Sequence, residues 1–206
     1  MELLRKIIVI LIIYGFFLTF LMIFLNQAIA LDNYLFQLID SIENIYLDIL
    51  FNSITYLGSS IFWIFLIVLF WLKKEKKLSL SLLFAFFLDT ISLVILKNIF
   101  LRPRPKAFEI EIGPSFPSGH SERAFSGAVI LSSYYKNYKF LFYFLALLTA
   151  FSRIYIGFHY PLDVLIGSIN GLIIGFVSLE ISKLVFKNNF SLNIVKIRNN
   201  LRKSFR

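Results

Sequence analysis

Two histidines, His120 and His159, are the only imidazoles in the chain, and both lie among residues suited to phosphate. The first such stretch holds Lys97 and Arg102-Pro103-Arg104-Pro105. Arginine offers phosphate a rigid fork and lysine a point charge. The two prolines stop the preceding helix and stiffen the chain, so the cations are held in place rather than left to snorkel to headgroups. The second stretch is Pro117-Ser118-Gly119-His120-Ser121. A serine cap and a glycine would open a helix whose free N–H groups bind an anion; taken alone, this is equally an ordinary capped helix. The third is Ser152-Arg153, followed by His159-Tyr160-Pro161-Leu162-Asp163. Pro161 suits a first helical turn, and His159 and Asp163, four apart, can meet on one side of it. A carboxylate on one imidazole nitrogen fixes the tautomer and leaves the other nitrogen to attack. The joint chemistry is phosphoryl transfer without a metal. Glu109, Glu111 and Glu122 lack ligand-like spacing, and there is no cysteine.

The three stretches complete the patterns K-x6-R-P, P-S-G-H and S-R-x5-H-x3-D. In them the sequence resembles the type 2 phosphatidic acid phosphatase superfamily, the lipid phosphate phosphatases, whose distant relatives include soluble vanadium haloperoxidases. The resemblance covers about residues 50 to 180. It implies an all-α integral membrane bundle of six helices with the active site at the outer face. It makes His159 the nucleophile that becomes a phosphohistidine, oriented by Asp163. His120 would protonate the leaving oxygen and then activate water. Lys97, Arg104, Ser118, Gly119 and Arg153 would hold the phosphoryl oxygens. No cofactor and no metal is implied, and the partners are a lipid phosphate substrate and membrane lipids. Ser121-Glu122-Arg123 departs from the expectation of small or apolar residues and would make the pocket rim unusual.

Substrates within the family include polyprenyl diphosphates, phosphatidate, phosphatidylglycerophosphate and lipid-linked sugar phosphates. A polyprenyl diphosphate is favoured here, with Arg102, Lys106 and Arg123 either serving a second phosphate or merely attracting headgroups. Transfer of the phosphoryl group to another alcohol differs only in the acceptor. A lipid-docking or transport protein would have no need of the His159–Asp163 pair, and apolar spans count against haloperoxidase chemistry.

The elements that must position these residues are membrane helices. Hydrophobic residues make up 58% and charged residues 16%, which argues against a soluble globular domain and disorder. The +9 charge is not spread on a polar surface, so nucleic acid is not an expected partner. Uncharged runs predict spans at Ile7 to Leu31, within Ile49 to Leu72, at Leu78 to Leu96 around Asp89, and at Ala124 to Tyr135, Phe140 to Ser152 and Val164 to Leu179. The first run is longer than a signal-peptide core and is taken as an uncleaved span. Lysines and arginines crowd the N-terminus, the Lys73–Lys77 loop and the tail, which predicts cytoplasmic termini and outward-facing signature loops.

Leu31, Leu35, Leu38, Ile42, Ile45 and Ile49 recur among Asp32, Asp40, Glu43 and Asp48, an acidic amphipathic helix expected on the outer surface. Residues 181–206 form a basic tail, read either as a helix on the cytoplasmic leaflet or as a solvated end. There is no repeat or linker, so 1–206 is one domain. Asp89, too deep to reach the phosphate, is expected to bond a hydroxyl on a neighbouring helix.

Overall fold

The computed structural model describes residues 28–42, 44–106 and 113–204, preceded by Arg5, Ile8, Val9, Ile12 and Gly15, with side chains as far as residue 186. Among the described residues all regular structure is helical. Helix α1 covers 28–40, followed by α2 (Ile45–Ile54), α3 (Ser60–Leu72), α4 (Lys76–Phe100), α5 (Gly119–Tyr134), α6 (Lys139–Tyr155) and α7 (Pro161–Ser204). The first expected span falls outside the described residues except at its isolated positions and its end.

Among the described residues two helices are long and apolar enough to cross a membrane by themselves, α4 and the Pro161–Phe186 part of α7. A third crossing is formed if α2 and α3 act together. The sequence predicts one straight span there. Instead, a 3-10 turn at Thr55–Gly58 intervenes, Ser59 caps α3 by accepting from the Phe62 N–H, and the halves are bent by 52°. Glycine and serine inside an apolar run are where helices kink. Helices α5 and α6 have 16 and 17 residues, about 24–26 Å at 1.5 Å per residue, short of the ~30 Å hydrocarbon thickness. The basic tail continues α7 without a break as far as Ser204.

The distribution of side chains is that of a bundle in lipid. Large apolar groups such as Ile61, Phe65, Phe87, Phe140 and Phe176 face outward, while Ser81, Asp89, Thr149, Asn170 and Ser182 are buried. Polar groups inside find one another, because hydrocarbon offers no partner. The Ser81 and Ser182 hydroxyls lie 2.7 Å apart, joining α4 to α7. Ser126 on α5 donates to Asp89 Oδ2 on α4 at 2.9 Å, which is the interhelical hydroxyl bond expected for Asp89.

Helix α5 packs on α4, α6 and α7, and its approach to α7 depends on small residues. Gly167, Gly171 and Gly175 form one stripe of α7, where a Cβ would lie 2.5 Å from Ser118 O, 2.1 Å from Glu122 O and 2.7 Å from Val129 Cβ. Backbones in such close contact replace the hydrophobic force that lipid cannot supply between helices.

Gly171→Ala drives a methyl group into the Glu122 carbonyl, and overpacking of this kind costs about 1–3 kcal/mol. The expected result is a lower melting temperature for the detergent-solubilised protein. Melting with the wild type would show that α5 and α7 can part without cost.

Candidate active site

The signature residues converge where the loops after α4 and α6 meet the first turns of α5 and α7. Helix α4 ends at Leu101, whose φ of +46° is left-handed and unfavourable for a residue with a Cβ. The chain then turns through Arg102-Pro103-Arg104-Pro105. Residues 113–118 are tied to this segment, since Ser115 N donates to Arg102 O at 2.7 Å and Ser115 Oγ to Pro103 O at 3.0 Å. After α6, Gly157 takes a φ of +89°, and the His159 N–H donates to Arg153 O at 3.1 Å. Arg153 and His159 are thereby fixed to each other through the backbone.

His159 is 2% exposed. Its Nε2 lies 3.3 Å from Arg104 Nη1, and its Nδ1 lies 3.6 Å from Asp163 Oδ2. The second distance is too long for a hydrogen bond, so Asp163 faces the imidazole without closing on it. Burial pushes the His159 pKa down to about 4, Arg153 and Arg104 push the same way, and Asp163 opposes them. The imidazole is therefore neutral at pH 7, and with Nδ1 turned to the carboxylate, Nε2 is the nitrogen that can attack.

Arg104 is oriented by the carbonyls of Phe158 at 3.0 Å and Gly113 at 3.1 Å. Lys97, in the last turn of α4, donates to Pro114 O. Arg153 donates to Thr55 Oγ1 at 3.0 Å and stacks 4.5 Å from the Phe158 ring. Ser118 is the N-cap of α5, and its Oγ accepts from Ser121 N at 3.4 Å and from Ser121 Oγ at 2.9 Å. Gly119 begins α5, and His120 follows, packed against Gly58 so closely that a Cβ there would lie 2.8 Å from His120 Cβ. Burial pushes the His120 pKa well below the usual imidazole value, and Arg153, Arg123, His159 and Arg104 push the same way.

Several sequence expectations change here. Arg102 does not serve a second phosphate: it is buried, its Nη1 2.7 Å from Asp163 Oδ1, its Nη2 2.6 Å from Asp32 Oδ2, and its guanidinium 4.0 Å over the Tyr160 ring. Lys106 pairs with Asp40 at 2.6 Å, and Arg123 Nη1 donates to Gly58 O at 2.9 Å. The acids of the supposed surface helix are docking groups. Asp32 Oδ1 also accepts from the Leu162 N–H at 2.7 Å, and Asp48 Oδ1 accepts from Tyr155 Oη at 2.8 Å. Burial pushes the Asp32 carboxyl upward, against the hydrogen bonds from Arg102 and Leu162. Glu122 is not on a rim: it is 0% exposed and turned into the bundle. Sequence reasoning missed Thr55, Gly58 and Asp32 as site-building residues. Gly58-Ser59 inside an apolar run was the available signal for the first two.

A neutral buried histidine, a second histidine and converging cations at one end of an apolar bundle define a membrane phosphoryl-transfer enzyme. Residues 78–187 match the model of the PAP2 superfamily, and the chain belongs to that family. It is 29% identical over 168 residues to an undecaprenyl-diphosphatase of Sulfolobus acidocaldarius, covering 76% of this chain and 81% of the relative. Among solved structures it is similar to Aquifex aeolicus LpxE, with 35% identity, a TM-score of 0.64, and coverage of 71% of this chain and 93% of that one. It is also similar to a PAP2-type phosphatidylglycerolphosphate phosphatase of Bacillus subtilis, with 29% identity, a TM-score of 0.72 and coverage of 84% and 94%. The protein is a membrane lipid phosphatase.

The lowered pKa has a direct readout. In an NMR titration of the detergent-solubilised protein, His159 should stay neutral from pH 8 down to about 5 and gain its proton near 4. Protonation near the ordinary value of about 6.5 would show that the imidazole is hydrated rather than buried.

Proposed function

We propose that this enzyme hydrolyses a polyprenyl diphosphate or a related lipid phosphate at the outer membrane face, without a metal, through a phosphohistidine on His159. What carries the reading is the environment of the two His159 nitrogens: Nδ1 toward Asp163, Nε2 beside the phosphate-binding fork of Arg104. Nε2 attacks the terminal phosphorus, and the bond from that phosphorus to the leaving oxygen, the bridging oxygen of a diphosphate or the ester oxygen of a monophosphate, breaks as His120, which takes up a proton when the anionic substrate binds, delivers it to that oxygen. Water then attacks the phosphohistidine, His120 takes the water's proton, and the P–N bond breaks to release phosphate. Lys97, Arg104 and Arg153, with Ser118 and the Gly119 amide, hold the equatorial oxygens through both steps.

Among the described residues no three His, Cys, Asp or Glu side chains cluster as they would to hold an ion. Glu109 and Glu111 lie outside the described residues. A lipid substrate is supported by an apolar cleft of about 250 Å³ between α3, α5 and α6, lined by Leu57, Trp63, Leu66, Phe70, Ala128 and Phe142, which begins beside the turn that packs on His120. The polyprenyl diphosphate is favoured because the Sulfolobus relative is an undecaprenyl-diphosphatase. Substrate, mechanism and sidedness all rest on this proposal.

The two histidines separate when the leaving group changes. With EDTA present throughout, His159→Ala should abolish turnover of lipid diphosphates and of p-nitrophenyl phosphate alike. His120→Ala should cripple the lipid substrate, by about 10²–10⁴-fold for lost acid–base help, yet still form phosphoenzyme from p-nitrophenyl phosphate, which then accumulates. Phosphate trapped on His120, or activity lost to EDTA and rescued by magnesium, would defeat the mechanism.

Sidedness is checked by single cysteines in a chain that has none of its own. A cysteine at Leu101, which is exposed beside the site, should react with an impermeant thiol reagent in intact cells, and one at Lys74, exposed at the opposite end of α4, should not. Labelling at Lys74 alone would invert the orientation.

A further inference from the structure

We propose that Asp32 and Arg102 are positioning residues of the phosphatase reaction, forming with Asp163 a buried carboxylate–guanidinium–carboxylate relay that keeps one net negative charge behind His159. The inference rests on the phosphohistidine reading and extends it to a residue of α1, outside the part of the chain that matches the family.

The geometry is a line of four groups. Asp32 Oδ2 meets Arg102 Nη2 at 2.6 Å, Arg102 Nη1 meets Asp163 Oδ1 at 2.7 Å, and Asp163 Oδ2 faces His159 Nδ1 at 3.6 Å. All four side chains are buried. Arg102 takes up one oxygen of Asp163 and cancels its charge. Left at that, the pair would be neutral, and His159 would have no net carboxylate behind it as positive charge develops on its ring. Asp32 supplies the missing charge: two carboxylates and one guanidinium sum to minus one.

The same residue fixes the geometry. Asp32 Oδ1 accepts from Leu162 N in the first turn of α7, and Asp163 Oδ2 accepts from Tyr160 N at 2.9 Å, so the carboxylate facing His159 is held at both oxygens. The Arg102 guanidinium lies flat over Tyr160, which in turn packs edge-on against Phe36 of α1 at 5.6 Å. Partners that orient a functional histidine's second nitrogen are commonly needed for activity although they never touch substrate.

Among the described residues the other charged or titratable groups that act on His159 are Arg153 from α6, Arg104 from the segment after α4 and His120 from α5. None of them is altered by the substitutions that follow, so the phosphate contacts remain.

The test uses the full-length protein in detergent with p-nitrophenyl phosphate, following phosphoenzyme formation against pH. Asp32→Asn removes one negative charge. It should slow that step about tenfold or more, leave KM unchanged and move the acid limb to lower pH, because a less negative neighbour lowers the His159 pKa. The double variant Asp32→Asn/Arg102→Gln restores a net charge of minus one, and it should be faster than Asp32→Asn, with the acid limb moved back. A merely structural role makes the double variant the worse of the two. An Asp32→Asn protein indistinguishable from wild type, or a double variant no faster than the single, overturns the proposal. Should Asp32→Asn not be recovered folded, Arg102→Gln alone decides. It leaves two negative charges and must move the acid limb to higher pH, and an unmoved limb overturns the proposal. His159→Ala, run alongside, keeps the two readings apart. If it forms phosphoenzyme, the phosphohistidine reading fails; if it is dead while Asp32→Asn matches wild type, only the relay fails.

Discussion

A carboxylate buried at the edge of an apolar bundle must be given counter-charge and hydrogen bonds, and the active-site end of this protein is assembled around one such group, Asp163. An ionised carboxyl left unpaired there would cost several kcal/mol. Two donors meet the carboxylate itself, and two further contacts tie its backbone and its arginine to the surroundings. Arg102 comes from the segment after α4, and the Tyr160 N–H from the turn before α7. The backbone carbonyl of Asp163 receives the Ser118 N–H that opens α5 at 3.0 Å. Asp32 of α1 holds Arg102 from behind. The contacts of Asp163 and of its arginine thus bring together the ends of α1, α4, α5 and α7, which carry most of the signature residues.

The second requirement is that α5 and α7 approach closely enough for the Ser118–Asp163 contact to exist. A Cβ on Gly167 would collide with Ser118 O, so a side chain at that position would push the N-terminus of α5 away from His159. The bend between α2 and α3 acts on the other side of α5. It presents Gly58 to His120 and Thr55 to Arg153, which a straight apolar helix with large side chains could not do. Helix packing and active-site geometry are therefore one constraint here. The glycines and the kink set how far apart the two histidines stand.

The family and its motif residues were legible in the sequence because phosphate binding demands particular side chains at fixed spacings. The elements were legible where hydrophobicity was continuous, as in α4 and α7. The bend within the second apolar run was not recognised, because hydropathy does not register a change of direction and Gly58-Ser59 is a small signal amid strongly apolar residues. The acidic face of α1 and α2 was read as solvated because an amphipathic pattern says which face is polar, not what lies against it. Asp32, Asp40 and Asp48 each meet a specific donor from a distant part of the chain. Glu122, placed on a rim by its charge, is turned inward, where the Gly171 gap admits its backbone.

Arg102 and Arg104 show most clearly where spacing stops being informative. They are two residues apart, both flanked by proline, and chemically identical. Arg104 is aimed by the carbonyl oxygens of Gly113 and Phe158. Arg102 is gripped by two carboxylates. The Arg104 fork lies beside His159 Nε2, while that of Arg102 is committed to Asp32 and Asp163. The difference that is visible lies at Arg102, to which the folded chain brings acids from α1 and α7. A count of cations near the motif overstates the charge presented to substrate, because at least one arginine is used to make a buried aspartate tolerable. The electrostatics of the site are thus set by the acids that lie behind the arginines as much as by the arginines themselves.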